Sequence, residues 1–173
     1  MTTSRARGGI AAADEFRGTA PSLLTTGPAA GPPEPRESPV RMIFLNLPVS
    51  DVAASRAFYT ALGFSVNEQF SDEGSASVVV SESIFLQLLG PDRFRSFLPE
   101  GTAPADPRAA TAALYALSCE SREEVDQMVE KAVGAGGGRW TPAQDHGFMY
   151  GSSFTDPDGH VWEVMWMDPA NDQ

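Results

Sequence analysis

Near its C-terminal end the chain carries the run Ser153-Phe-Thr-Asp-Pro-Asp-Gly-His-Val-Trp-Glu-Val-Met-Trp-Met-Asp168. A single glutamate, Glu163, sits there inside an apolar strand pattern. Strand alternation puts Trp162, Val164 and Trp166 on one face and Val161, Glu163 and Met165 on the other. Two tryptophans and a valine make a core face, so Glu163 is expected to face a cavity. A carboxylate in that setting is suited to be a base, a ligand anchor or a metal ligand. Alternation also groups Phe85, Gln87 and Leu89, and separately Met42, Phe44 and Asn46.

The two histidines fit a shared site with Glu163 poorly. His160 lies an odd number of residues from Glu163 and so points to the opposite face; it is expected to be a partly exposed turn residue. His146 precedes Gly147 in a loop and reaches a ligand only if that loop folds over the cavity. Met149 and Tyr150 open the strand before the turn, and one of them must face inward. Trp140 is placed over one end of the cavity. Cys119 ends an apolar strand and reads as a small core residue rather than a nucleophile. No glycine-rich run is followed by Lys-Ser/Thr, so Gly134–Gly138 is a loop and not a phosphate cradle.

The elements that position these residues form a repeated order. Met42–Leu47 is a short buried strand limited by Pro48. Ser50 or Asp51 caps a helix with the stripe Val52, Ser55, Phe58, Tyr59 and Leu62, ending before Gly63. Strands follow at Val66–Phe70, Ala76–Ser81 and Ser83–Leu89. Residues 90–111 are rich in proline and read as a linker with one or two helical turns over Asp92–Leu98. A strand, Ala113–Cys119, then leads to Ser121-Arg-Glu-Glu124, a capping box for a helix closed by Gly134. A short segment around Trp140 precedes strands Phe148–Thr155 and His160–Met167, joined by the type I turn Asp156-Pro-Asp-Gly159.

The chain has 173 residues and a net charge of −11, which disfavours nucleic acid and anionic membranes as partners. From Met42 onward there are 7 Lys/Arg against 19 Asp/Glu, net −12. No apolar run reaches the length of a membrane span. One cysteine excludes an internal disulfide and suits a cytoplasmic protein. Residues 1–40 hold almost no large apolar side chains and are expected to be a disordered leader without a secretory signal. Met42, immediately before the first strand, offers an alternative start, with the leader then an artefact of start-site choice.

Two stretches carry a resemblance. Leu47-Pro-Val-Ser-Asp51, followed by Phe58-Tyr59 and Leu62-Gly63-Phe64, resembles the opening of the vicinal oxygen chelate superfamily. Phe154-Thr-Asp-Pro-Asp-Gly-His-Val-Trp-Glu163 resembles its closing hairpin. This superfamily contains glyoxalase I, bleomycin resistance proteins and extradiol dioxygenases, and the resemblance covers about residues 41–168. It implies an α+β fold of two βαβββ modules forming a half-open eight-stranded barrel, with helices on the convex side. The modules would span about 41–90 and 112–168, within a domain over 41–170. The implied ligand cavity lies on the concave side and is mostly apolar, with Asn46, Gln87 and Glu163 as its polar points.

In members that bind a divalent metal, each module typically gives one ligand from its first strand and one from its last. Those positions fall on Phe44, Gln87, Leu114 and Glu163. Phenylalanine and leucine cannot ligate a metal, so Gln87 and Glu163 remain, with Asn46 the nearest addition. Both histidines needed for an extradiol iron site are missing. The expected site therefore has Glu163 as its catalytic candidate and Gln87 and Glu163 as its metal candidates. Its ligand-binding candidates are Phe44, Asn46, Phe85, Gln87, Leu114, Met149 and Tyr150. Expected functions are small-molecule binding without a complete metal centre or, alternatively, a lyase or isomerase using Glu163. The resemblance also implies a homodimer.

Overall fold

A computed structural model describes residues 40–171; the expected leader, apart from Val40, lies outside the described residues. The element order is β1 (Ile43–Pro48), α1 (Val52–Leu62), β2 (Ser65–Asp72), β3 (Ser75–Val79), β4 (Ile84–Leu89), α2 (Pro91–Arg95), β5 (Leu114–Ser118), α3 (Arg122–Gly134), β6 (Gly138–Asp145), β7 (Met149–Thr155) and β8 (Val161–Met167). A 3-10 turn closes the described chain at Pro169–Asn171. The strands form two four-stranded sheets of matching topology, β1-β4-β3-β2 and β5-β8-β7-β6. In each sheet the first strand pairs parallel with the last and the others run antiparallel. This is the α+β pair of βαβββ modules, and the eight strands remain unclosed.

Local signals account for the helix ends. The Asp51 side chain accepts from Ala54 N–H at 3.0 Å, and Gly63 takes φ +110° at the end of α1. Ser121 caps α3 by accepting from Glu124 N–H. The Glu124 carboxylate accepts in return from Glu120 N–H at 2.6 Å, one residue before the cap. Gly134 is the last residue of α3 rather than the residue after it, with Ala135 as the cap. The segment around Trp140 is a full strand, β6, whose pairing with β7 is interrupted by register shifts.

The helix-side faces of both sheets share one core. Leu47, Val78, Leu86 and Leu88 come from the first sheet and Phe154, Trp162 and Val164 from the second. Helix α1 joins them: Phe58 packs on Phe154 with centroids 6.3 Å apart, and Tyr59 meets Trp162 edge-on at 6.0 Å.

A buried polar clasp fixes this junction. The turn Asp156-Pro-Asp-Gly159 closes with Gly159 N–H donating to Asp156 O. Asp156, 2% exposed, accepts from Tyr59 Oη at 2.7 Å and, through Oδ1, from the N–H groups of Asp158 and His160. Trp162 Nε1 donates to Tyr59 Oη at 3.1 Å. Asp158 accepts from Ser50 N–H and Ser55 Oγ. The His160 ring is buried, and its Nε2 lies 2.8 Å from Pro48 O. A carbonyl only accepts, so Nε2 carries the proton. The expected exposed turn histidine is thus a buried residue holding β1 to β8.

Burial is the leading cause that holds the Asp156 carboxyl above the usual carboxylate range, opposed by the His160 charge and the donated hydrogen bonds. Burial, and then the Asp156 charge, push the Tyr59 phenol well up, so it remains a donor. The folded Asp156 keeps its proton to higher pH than the unfolded one. Its favourable contribution is therefore complete below the unfolded value and is lost as pH rises through the folded value. Urea midpoints of wild type and Asp156→Asn across the acid range should show wild type gaining on the variant as pH falls. A gap that does not vary with pH would contradict this assignment.

Candidate functional site

The strand registers define two rows of side chains facing away from the helices. On the first sheet Asn46, Gln87, Ser77 and Asn67 lie abreast, with Phe44, Phe85 and Val79 in the next row. On the second sheet Ala116, Glu163, Ser153 and Thr141 lie abreast. Gln87 and Glu163 thus hold equivalent places in the two modules. Gln87 Nε2 donates to Ser77 Oγ at 2.9 Å. Ser153 Oγ accepts from Thr141 N–H at 3.0 Å and meets Thr141 Oγ1 at 2.5 Å.

Glu163 is half-buried and lines a cavity of about 110 Å³ with Thr141, Gln144, Met149, Gly151, Ser153 and Met165 among its walls. All the lining residues come from β6, β7, β8 and their flanks. Asn46 lines a different cavity, of about 190 Å³, together with Tyr115, His160 and the linker residues Ala105 and Pro107. Within one chain the structure therefore does not join Asn46 to Glu163. The helix-side packing of Tyr59, Phe58, Trp162 and Phe154 explains this, because the rows opposite lie outside the common core.

The remaining candidates are placed as follows. Met149 lies in the Glu163 cavity. Tyr150 is on the helix side, where its Oη donates to Asp126 Oδ1 at 2.8 Å and the Arg122 guanidinium lies 5.1 Å from its ring. Phe44 and Phe85 stack at 5.0 Å, 15° from parallel. Phe44 is 52% exposed and Leu114 is 53% exposed, each on an edge strand. Trp140 is also exposed, and neither it nor His146 lines the Glu163 cavity. Cys119 is buried, and burial, with Glu124 and Glu120 nearby, pushes its thiol up to about 11, so it is no nucleophile near neutrality.

The side chains at Phe44, Gln87, Leu114 and Glu163 do not fit a divalent metal. Two carry no donor atom, and the two that do, a neutral amide and one carboxylate, are fewer than the three or four ligands such an ion takes. Among the described residues no three His, Cys, Asp or Glu side chains cluster as a metal site would require.

Two sequential βαβββ modules with an acidic residue on the last strand of the second define a class of paired-module proteins. The model of the Glyoxalase/Bleomycin resistance protein/Dioxygenase superfamily matches residues 41–164, and the chain belongs to that superfamily. The chain is similar to the hypothetical protein SA1046 from S. aureus, at 25% identity and a TM-score of 0.62 over 73% of this chain and 94% of that one. It has the fold of a glyoxalase/bleomycin resistance protein/dioxygenase family enzyme from Burkholderia phytofirmans PsJN, at 17% identity, TM-score 0.62, 72% and 96% coverage. A glyoxalase-related enzyme from Fulvimarina pelagi shares that fold at 22% identity, TM-score 0.61, 73% and 87% coverage. None of the curated proteins matches the sequence. No helix among the described residues is long and apolar enough to cross a membrane.

Proposed function

We propose that this protein binds a small organic molecule in a mostly apolar cavity, without a complete metal centre, as a homodimer. The observation that carries the proposal is the pairing of a carboxylate, Glu163, with donor-free side chains at Phe44 and Leu114. These are the places where metal-binding members resembled by the chain have ligands. Walls of Met149, Met165, Pro142 and Gly151 suit an apolar ligand body.

What one chain leaves open supports the dimer. β1 and β5 are unpaired edges, and Met42, Ile43, Phe44 and Leu114 are exposed on or beside them. Unpaired edges with apolar side chains are surfaces that proteins cover.

The second function reading is a lyase or isomerase in which Glu163 removes a proton from a bound substrate. It is favoured by the carboxylate's lack of any ion-pair partner among the described residues. Sedimentation and a thermal-shift screen of small metabolites test the binding function. The expected result is a dimer with stabilising ligands whose shift is lost in both Leu114→Asp and Glu163→Gln. A monomer that no compound stabilises would contradict it.

A further inference from the structure

The chemistry of the Glu163 site points to the class of molecule it takes, and this step rests on the binding function proposed above. The rows through Gln87 and Glu163 contain one ionisable side chain, Glu163, and the adjoining rows through Phe85 and Met165 add none. Asp72, at the far corner of the first sheet, is already paired with Arg93. No lysine, arginine or histidine lines the Glu163 cavity. An anionic ligand would meet a carboxylate with no counter-ion.

The neutral groups add no charge of their own. The Ser153 and Thr141 hydroxyls bond each other, which uses one of their two protons. Gln87 Nε2 gives one of its two hydrogens to Ser77 Oγ, and its amide stays neutral. Glu163 is therefore the one charged group of the two rows, and a charged donor complements it. Beside Glu163 the Met149 and Met165 side chains give the cavity an apolar wall.

We infer that the site takes an organic cation, an amine or amidinium on an apolar body. The charged group sits on the Glu163 carboxylate, and the body packs against the Met149 and Met165 side chains. Three probes of one shape test this with the full chain: naphthylmethylamine, naphthylmethanol and naphthoic acid. Each is titrated by calorimetry at low salt into wild type, Glu163→Gln and Met149→Ala. The amine is expected to bind about tenfold tighter than the alcohol, as hydrogen bonds to a charged group allow. Glu163→Gln should bring amine and alcohol together by weakening the amine alone, and Met149→Ala should weaken both. Naphthoic acid binding as tightly as the amine overturns the inference, as does an amine preference that survives Glu163→Gln. Either result leaves the small-molecule site standing. If none of the three binds wild type, the small-molecule function and the inference fail together.

Discussion

Asp156→Ala is expected to cost the domain about 3–5 kcal/mol, a large part of an ordinary folding free energy. The carboxylate is the shared acceptor for the Tyr59 hydroxyl and for the backbone N–H groups of Asp158 and His160. Alanine leaves these donors in a buried site with nothing to receive them. The loss also reaches beyond the turn, because Asp158 and His160 hold Ser50, Ser55 and Pro48 of the first module. Asp156→Asn keeps one oxygen for the two backbone donors and should cost much less. Urea denaturation followed by tryptophan fluorescence measures both. An alanine variant as stable as wild type would show that the clasp is incidental to the fold.

Trp162→Ala is expected to cost about 3–5 kcal/mol by leaving a cavity at the centre of the shared core. The indole is 1% exposed, packs on Tyr115 at 5.1 Å between centroids, and meets Tyr59 edge-on. It also supplies the N–H that Tyr59 Oη accepts while donating to Asp156. Trp162→Phe keeps an aromatic ring and loses that donor, so it should fall between wild type and alanine. Calorimetric melting ranks the three. Equal melting temperatures for the phenylalanine and alanine variants would mean that ring packing contributes nothing here.

These two residues mark where the sequence was legible and where it was not. The caps Asp51 and Ser121 and the glycine after α1 act within four residues, so composition and spacing reveal them. Strand parity is equally local. It places Trp162 and Val164 in the core and Glu163 on the opposite face, but it leaves open which of Met149 and Tyr150 turns inward, and the structure turns Tyr150 to the helix side. The clasp was hidden because its partners are about 100 residues apart: Asp156-Pro-Asp-Gly159 reads as a turn, and nothing nearby names Tyr59, Ser50 or Ser55. His160 reads locally as an exposed turn residue for the same reason, since Pro48 O is 112 residues away. β6 was obscured by its polar, proline-containing composition and interrupted register.

Parity also left the site half described. It fixes which face of a strand a side chain occupies, and not how two sheets turn relative to one another. The latter is decided by Phe58 and Tyr59 packing against Phe154 and Trp162, which leaves Asn46 and Glu163 in separate cavities of one chain. A fold shared by glyoxalases, resistance proteins and dioxygenases does not choose among their activities, so the function rests on the side chains around Glu163.

The proposed site works through a retained carboxylate without a complete metal centre. Elemental analysis of the purified, dialysed full-length protein, wild type beside Glu163→Ala, is the most direct test. The expected result is far less than one zinc, nickel, iron or manganese per chain, with no difference between the two proteins. One equivalent of any of these metals in wild type, lost in Glu163→Ala, would contradict the account.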